Sequence, residues 1–345
     1  MPKKIVASYR IVIPMFIGDA NQQASGISPT SVKGVLRFWW RALNWGRILN
    51  QAENEVSALR ELHAQEVKLF GGLPKPAAGE KPKSGGQGAF FLRVIPEQTP
   101  YKFFEIWPVD ARNHLLSKYI GIGLWKTGSN EQRQSIRENQ HFTIELVLKP
   151  TATAADAVAL RDTLKLWGWL GGLGSRSRRG FGSIALESLD GSDALFEDTD
   201  AYLNAIKTLL NSYSVSTVKP PYTAFSNLTK IGVTSETSSF PYQVHQDMGV
   251  LFNNYRGQPS ELRGPKKRVF GMPYMDKNEA NSISKEANAR RASPLLFHIH
   301  PVGNQYQGLV LCLPAVFHPD TDLNNVDDDL LFGFIEKLQE VPLWK

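Results

Sequence analysis

Residues 171–182 contain five glycines and three arginines, and no acidic residue stands among them. Because glycine has no Cβ, the backbone of such a segment can turn sharply and approach a ligand closely. Successive amides can form an anion-binding concavity, and arginine adds a planar, permanently charged fork that fits phosphate. We therefore predict that this glycine-arginine segment binds a polyphosphate, with nucleic acid as the leading candidate. The candidate ligand-binding residues are Gly171, Gly172, Gly174, Arg176, Arg178, Arg179 and Gly180.

A predicted helix over residues 28–49 carries a second set of basic residues. Lys33, Arg37 and Arg41 follow one another at intervals of four and form a basic stripe on one face of this helix. Like charges along a helix repel one another, and phosphates lying along the stripe would relieve that repulsion. Trp40 stands at the border of the stripe, where its ring could stack on a base. The alternative is a solvated face whose long side chains cover apolar surface.

Two weaker basic patches lie in the second half of the chain. Lys266, Lys267 and Arg268 follow Gly264 and Pro265 in a predicted loop, and a solvated loop is an equally good interpretation of them. Arg290 and Arg291 come shortly before a predicted strand. All five residues are additional candidates for contact with RNA.

Several other chemistries are excluded by spacing. The chain has no phosphate-binding Gly-x-x-x-x-Gly-Lys motif and no Gly-x-Ser-x-Gly nucleophile elbow. A dinucleotide fingerprint follows a strand and opens a helix, whereas residues 171–182 follow a predicted helix and open a predicted strand. The single cysteine, Cys312, excludes an intramolecular disulfide and a multi-cysteine zinc site. We expect no metal and no cofactor, and we assign no catalytic residue.

The order of predicted elements indicates the fold that positions these residues. Residues 4–13 are predicted as a strand and residues 28–49 and 55–69 as helices. They are followed by strands over 89–95, 103–108 and 142–148, a helix over 152–170 and a strand over 181–189. This is the order of a ferredoxin-like βαββαβ unit with insertions, and the fold class is therefore α+β. The second half is predicted to contain helices over 201–212 and 327–338 and strands over 295–300 and 308–316.

Length and composition place broader limits on the chain. The 345 residues favour two domains, for which we expect bounds of 1–190 and 200–345. A hydrophobic content of 42% and a charged content of 21% are typical of packed domains rather than of disorder. The net charge of +6 mildly favours a polyanionic partner. No run approaches the ~20 apolar residues of a membrane span, so we expect a cytoplasmic protein without a membrane partner.

Several stretches together resemble the RAMP superfamily of CRISPR effector proteins. Within it they resemble most closely the family formed by the first subunits of the type III-B Cmr complexes. The stretches are SVKGVLRFWWRAL at 31–43, GGLGSRSRRGFG at 171–182, FGMP at 270–273, RRASPLL at 290–296 and the predicted strand around Leu311. The glycine-rich segment alone marks the superfamily, whereas the helix and the Arg-Arg-x-Ser-Pro stretch favour the narrower family.

This resemblance implies two ferredoxin-like domains, each related to RNA-binding sheet folds. It also implies a non-catalytic subunit at the end of a filament of other Cmr subunits, near the 3′ end of a guide CRISPR RNA. There the subunit would contact the guide, single-stranded target RNA, or both. A different interpretation is a scaffold whose arginines meet acidic surfaces of neighbouring subunits.

A third interpretation is metal-independent RNA cleavage, as in RAMP relatives that process guide precursors. That reaction needs a general base, often histidine, to activate the 2′-hydroxyl. His298 and His300 alternate on a predicted strand, and His245 in a polar stretch is the best candidate among seven histidines. None of the seven lies in the basic helix or in the glycine-arginine segment.

Overall fold

The computed structural model describes residues 3–18, 23–72, 86–98, 101, 103–104, 119–125, 133–257, 264–272, 290–318 and 326–344. Most of the strand predicted at 103–108 lies outside the described residues, and so does Pro273 of the FGMP stretch. Within the described residues, no helix is both long enough and apolar enough to cross a membrane.

The described α-helices fall in both halves of the chain. They are α1 (Pro29–Leu49), α2 (Glu55–Phe70), α3 (Ala154–Leu170), α4 (Thr199–Asn211), α5 (Pro241–Gly257) and α6 (Asp329–Ile335). A 3-10 helix spans Gly264–Phe270.

The described strands form two larger sheets and two short pairs. They are β1 (Lys4–Ile11), β2 (Gly71–Gly72), β3 (Gly86–Gln87), β4 (Phe90–Pro96), β5 (Phe103–Phe104), β6 (Ser135–Ile136), β7 (His141–Leu148), β8 (Ile184–Leu189), β9 (Ser192–Asp193), β10 (Lys230–Val233), β11 (Leu295–Val302), β12 (Gln305–Cys312) and β13 (Gln339–Val341).

The first large sheet has the strand order β4-β7-β1-β8-β9. Strand β1 is central and pairs antiparallel with β7 on one side and with β8 on the other. Counting β1, β4, β7 and β8 as the first to fourth strands, with α1 and α3 as the crossovers, gives the ferredoxin-like βαββαβ arrangement. The prediction made from the element order of the first half is therefore confirmed.

The second large sheet has the order β11-β12-β10-β13, which repeats the relative order of the first sheet. Its crossovers are α5, between β10 and β11, and α6, between β12 and β13. The second ferredoxin-like unit implied by the resemblance is thus present, although α5, β10 and β13 were not predicted from the sequence. Strand β10 has only four residues, and polar side chains obscure the apolar spacing of Val244, Met248 and Phe252 in α5.

Two apolar clusters each contain side chains of both sheets: Leu186 of β8 and Leu311 of β12 lie in one, and Ala185 of β8 and Val310 of β12 lie in the other. The bounds of 1–190 and 200–345 for two domains therefore stay a prediction. The start of α1 is well defined, because the Ser28 hydroxyl accepts a hydrogen bond from the Ser31 amide at 3.1 Å and Pro29 occupies the first turn. Helices α1 and α3 pack against each other and together flank the glycine-arginine segment.

Candidate nucleic-acid interface

The glycine-arginine segment connects the end of α3 to the start of β8. Its backbone is tied to the turn that follows β1, since the Ser175 amide donates to the Phe16 carbonyl at 2.7 Å and the Gly182 amide to the Pro14 carbonyl at 3.0 Å. Gly174 has a φ of 93° and Arg176 a φ of 61°, so the chain passes through the left-handed region twice within three residues. The segment is thus a built structure and not an open loop.

The glycines of the segment are required by packing within the protein. A Cβ on Gly172 would lie 2.6 Å from the Gly182 carbonyl oxygen, and a Cβ on Gly174 would lie 2.6 Å from the Phe16 carbonyl oxygen. A Cβ on Gly180 would meet His245 at 2.9 Å, and one on Gly171 would meet the Trp39 indole nitrogen at 2.8 Å. The backbone approaches other parts of the protein closely at these glycines, and their predicted contact with a ligand stays a prediction.

Arg178 joins the segment to the second half of the chain. Its guanidinium lies 5.1 Å from the ring centroid of Phe38 and donates to the Ser293 carbonyl at 2.5 Å. Its own carbonyl accepts a hydrogen bond from the Phe297 amide at 3.2 Å, so the segment covers the edge of β11. Burial, with a smaller effect of Arg291, lowers the pKa of Arg178 to about 10.

Arg179 lies among aromatic rings and is partly buried. Its guanidinium carbon lies 4.6 Å from the Phe252 ring centroid and 5.3 Å from that of Phe297, and its Nη2 donates to the Phe270 carbonyl at 3.2 Å. Its Nη1 has no hydrogen-bond acceptor among the described residues. Burial, followed by repulsion from Arg256 and other cations, lowers the pKa of Arg179 to about 9. Arg179 therefore stays charged at neutral pH and has an unused donor.

Arg176, Arg178, Arg179, Arg256 and Arg291 line one cavity of about 610 Å³, which we call the arginine cavity. None of its described lining residues is an aspartate or glutamate. Guanidinium groups of this cavity donate to neutral oxygens in the described residues, such as the Tyr119 hydroxyl at 3.0 Å from Arg256 and the Thr223 hydroxyl at 3.3 Å from Arg291.

A nearby carboxylate, Asp328, does not neutralise the cavity. It raises the pKa of Arg291 slightly against the larger lowering effect of burial, but it is itself paired with Lys219 at 2.5 Å. Five arginines without a carboxylate in the described lining make this cavity a candidate anion site.

A groove lies beside the arginine cavity, between α1 and the glycine-arginine segment. It has a volume of about 360 Å³, and its α1 wall contains Ser31, Gly34, Val35 and Phe38. The α1 groove shares Ser177 and Arg178 with the arginine cavity, so the two form one continuous surface. This groove uses a different face of α1 from the basic stripe, since none of Lys33, Arg37 and Arg41 lines it.

The basic stripe holds α1 against α2. Arg37 and Arg41 contact the two carboxylate oxygens of Glu66 at 2.8 and 3.5 Å, and Arg37 also donates to the carbonyls of Phe70 and Gly71. Lys33 lies 5.7 Å from the Phe90 ring centroid, and burial lowers its pKa. Arg37 and Arg41 thus join two helices through one carboxylate, and contact of the stripe with phosphates stays a prediction.

Trp40 belongs to the core and not to the surface. It is only 3% exposed, and the edge of its ring system meets Phe70 with 6.0 Å between ring centroids. A ring in this position cannot stack on a base, so the prediction for Trp40 is corrected. The helical period places Trp40 between the apolar face and the basic stripe of α1. Its burial follows from the packing of α2 against this side of α1.

The weaker patches separate into lining and non-lining residues. Arg291 lines the arginine cavity, whereas Arg290 is exposed and does not. Lys266, Lys267 and Arg268 lie in the 3-10 helix, whose last residue, Phe270, lines the cavity. Lys266 is exposed, and the other two side chains are partly buried. These three therefore border the site without forming its wall.

Arg256 is the one arginine of the described cavity lining that was not predicted from the sequence. Arg256 lies one turn after Phe252 on α5, and its guanidinium carbon is 5.4 Å from the Phe252 ring centroid. The sequence pattern that could have identified it is an aromatic residue and an arginine four positions apart. This pattern places the two side chains together only if the segment is known to be helical, and α5 was not predicted.

The histidines have structural surroundings. His245 is 1% exposed, and its Nε2 lies 2.9 Å from the Arg179 carbonyl oxygen, to which a protonated Nε2 donates. Burial lowers the pKa of His245 to about 4. The buried rings of His298 and His300 contact each other at 3.1 Å, and His300 stacks on Tyr202. None of these three histidines reaches the surface of the arginine cavity. In the described part of the chain, no cluster of acidic, cysteine or histidine side chains could hold a metal ion.

Comparisons with known proteins agree with this architecture. The curated protein "CRISPR system Cmr subunit Cmr1-2" from Pyrococcus furiosus is 29% identical over 194 residues, which cover 52% of this chain and 92% of that protein. The crystal structure of Cmr1 from Pyrococcus furiosus in its apo form matches with a TM-score of 0.61 and 17% identity over 99% of both chains. A chain of the type III-B Cmr-beta complex bound to cognate target RNA matches with a TM-score of 0.58 and 12% identity, covering 98% of this chain and 99% of that one.

At such identities the solved structures establish a shared fold. The family assignment depends on the sequence model of the RAMP superfamily, which matches residues 9–185, just over half of the chain. That range extends from the first strand to the end of the glycine-arginine segment and into β8. With the motifs, the strand order and this match in agreement, the chain belongs to the RAMP superfamily.

Proposed function

We propose that this chain is a non-catalytic, RNA-binding subunit of a type III-B CRISPR effector complex. Its partners are the other Cmr subunits, the guide RNA near its 3′ end and single-stranded target RNA, and it acts in the cytoplasm. The relatives named above support this proposal by their descriptions as a Cmr subunit and as a chain of a complex bound to target RNA. The observation that carries it is the arginine cavity, with five arginines and no carboxylate in its described lining.

Binding depends on phosphates and not on particular bases. Guanidinium groups fit phosphate oxygens with paired hydrogen bonds, and five of them line the cavity. The adjoining α1 groove presents Phe38 and the backbone of the glycine-rich segment, which provide room for one nucleotide next to a held phosphate. Arg178 lines both the α1 groove and the arginine cavity. An RNA strand that passes from one to the other therefore runs close to its guanidinium group.

A salt series tests the proposal. Binding of labelled single-stranded RNA is measured by fluorescence anisotropy for the wild type and for Arg176→Ala, Arg256→Ala and Arg291→Ala. Each phosphate contact contributes about 0.7 to the slope of log affinity against log salt, so each variant should lose about 0.7 from that slope. The control is Arg93→Ala, because Arg93 is an exposed arginine of β4 that pairs with Glu145 at 3.1 Å.

The outcomes separate RNA binding from pure scaffolding. If the wild type binds with a steep slope and the three cavity variants bind less steeply than the control variant, the cavity holds phosphates. If all four variants keep the wild-type slope, the cavity arginines serve folding or assembly, and the RNA-binding function is overturned. Thermal unfolding of each variant, measured in parallel, distinguishes loss of a contact from loss of the fold.

A further inference from the structure

Two lysines and one exposed aromatic ring meet where β4 begins, on the outermost described strand of the first sheet. Phe90 and Phe91 are the first two residues of β4, and successive side chains of a strand point to opposite faces of its sheet. Phe90 is 3% exposed, whereas Phe91 is 57% exposed. We call Phe91, Lys33 and Lys149 the lysine corner. None of the three lines the arginine cavity or the α1 groove, so the corner is a separate surface feature.

The two lysines approach this strand from different elements. Lys33 belongs to α1, and its ammonium nitrogen lies 5.7 Å from the Phe90 ring centroid. Lys149 directly follows β7, and its ammonium nitrogen lies 4.6 Å from the Phe91 ring centroid. Burial, followed by repulsion from Arg37 and from Lys149, lowers the pKa of Lys33. The two lysines are therefore close enough for each charge to act on the other.

No carboxylate of the described residues pairs with Lys33 or Lys149. Both charged groups that shift the pKa of Lys33 are cations, and the ammonium group of Lys149 donates to the neutral amide oxygen of Gln87 at 2.9 Å. The corner differs in this respect from the rest of the basic stripe, whose two arginines share one carboxylate. Unpaired cations of this kind bind the phosphates of a nucleic acid, whose condensed counterions are released on contact.

The neighbours of Phe91 on the sheet favour RNA over a protein partner. In the strand register Phe91 lies beside Val147 of β7, which lies beside Lys4 of β1. At the next position of β7 on the same face, Glu145 is paired with Arg93 at 3.1 Å and with Lys4 at 3.7 Å. The ring therefore stands among charged side chains and not in a continuous apolar patch. The centres of protein interfaces are depleted in charged residues, whereas sites for single-stranded RNA combine aromatic rings with cations.

We propose that the lysine corner is a second contact for single-stranded RNA, in which a base stacks on Phe91 while Lys33 and Lys149 bind the flanking phosphates. Lys149 lies over one face of the Phe91 ring, and the exposure of the ring leaves room for a base on the other. Every base has a π face, so the contact tolerates any base. This proposal rests on the proposed function, because it takes the ligand to be the same RNA.

Binding of labelled single-stranded RNA to the full chain across a salt series separates stacking from charge. Phe91→Ala should lower the affinity about tenfold and leave the salt slope unchanged, because the ring carries no charge, and Phe91→Trp should retain the wild-type affinity. Lys33→Ala and Lys149→Ala should each reduce the slope by about 0.7. The matched controls are Leu195→Ala and Lys337→Ala, which change exposed side chains outside the corner and should alter neither quantity. Thermal unfolding of each variant shows whether the fold is kept.

Photo-crosslinking locates the stacked base directly. RNA that carries 5-iodouridine in place of uridine is bound to the full chain and irradiated, because this base forms covalent adducts with aromatic side chains that stack on it. We expect an RNA-linked peptide that contains Phe91, identified by mass spectrometry, and we expect its loss in Phe91→Ala. Absence of this adduct from the wild type, under conditions in which the RNA is bound, would overturn the stacking contact.

The outcomes distinguish this proposal from the proposed function. If Arg176→Ala, Arg256→Ala and Arg291→Ala weaken RNA binding but the corner variants keep the wild-type affinity and slope, the second contact alone is overturned. The second contact is also overturned if Phe91→Ala leaves RNA binding unchanged but lowers incorporation into an assembled effector complex, because the ring then contacts protein. If the wild type binds no RNA, the proposed function fails and the second contact fails with it.

Discussion

The basic stripe of α1 and the glycine-arginine segment contain similar numbers of cations and have opposite roles. In the stripe, Arg37 and Arg41 share the carboxylate of Glu66, which is 5% exposed. In the segment, Arg178 and Arg179 end on carbonyl oxygens and aromatic rings and gather further arginines around them. A run of basic residues therefore indicates an anion site only where no carboxylate of the same chain lies close enough to pair with it.

The largest expected effect on this comparison comes from a substitution that changes the backbone geometry of the segment. Gly174→Val places a Cβ against the Phe16 carbonyl at a φ of 93°, where a β-branched residue is strained. We expect a loss of about 3 kcal/mol or more in the free energy of unfolding, together with loss of RNA binding. The matched control in the stripe helix is Gly34→Ala, whose Cβ meets nothing within 4 Å and should add about 0.5–1 kcal/mol. Urea denaturation measures both, and equal stabilities would contradict the assigned role of the segment.

The next prediction concerns the free energy of unfolding at low pH, because buried neutral histidines pack against the segment. The pKa of His245 is lowered to about 4 and that of His298 to about 3 by burial, below the ordinary value of about 6.5. The unfolded chain therefore binds more protons than the folded chain as the pH falls below 6.5, so stability is lost in that direction. Between pH 7 and pH 5 we expect a loss of about 2 kcal/mol for each histidine.

The matched variant for this test is His245→Gln, which keeps a side-chain donor for the Arg179 carbonyl but does not titrate. Its unfolding free energy should fall less steeply from pH 7 to pH 5 than that of the wild type, as followed by urea denaturation at each pH. The same slope in both proteins would show that His245 does not contribute to the acid sensitivity.

A single substitution should give the basic stripe the anion-binding behaviour that we propose for the glycine-arginine segment. Glu66→Gln leaves Arg37 and Arg41 without their carboxylate and should cost about 2 kcal/mol, less than for a fully buried pair because both arginines are partly exposed. The freed charges should then strengthen RNA binding and steepen its salt dependence. Glu61→Gln, an exposed change on the same helix, should alter stability by no more than about 0.5 kcal/mol. A Glu66→Gln protein that binds RNA like the wild type would mean that the stripe is unsuited to phosphate even when unpaired.

Much of the secondary structure could be predicted from local sequence patterns. The helices predicted over 28–49, 55–69 and 152–170 match α1, α2 and α3 to within a few residues, and the strands predicted over 4–13 and 142–148 match β1 and β7. The second unit was harder, since β10 and β13 are short and α5 is rich in polar residues. Strand β10 and helix α5 pack against β12, and β13 pairs with β10; these are long-range contacts that no local window contains.

The candidate site divides in the same way. Sequence alone determined that residues 171–182 form a glycine-rich, acid-free turn between a helix and a strand, because glycine content and charge are properties of the residues themselves. Only the tertiary structure decided that Glu66 neutralises the stripe, that Trp40 is covered by Phe70 and that Arg256 joins the arginine cavity. The physical reason is that helical periodicity places a side chain on a face of its own element, whereas charge neutralisation and burial depend on which distant element lies against that face.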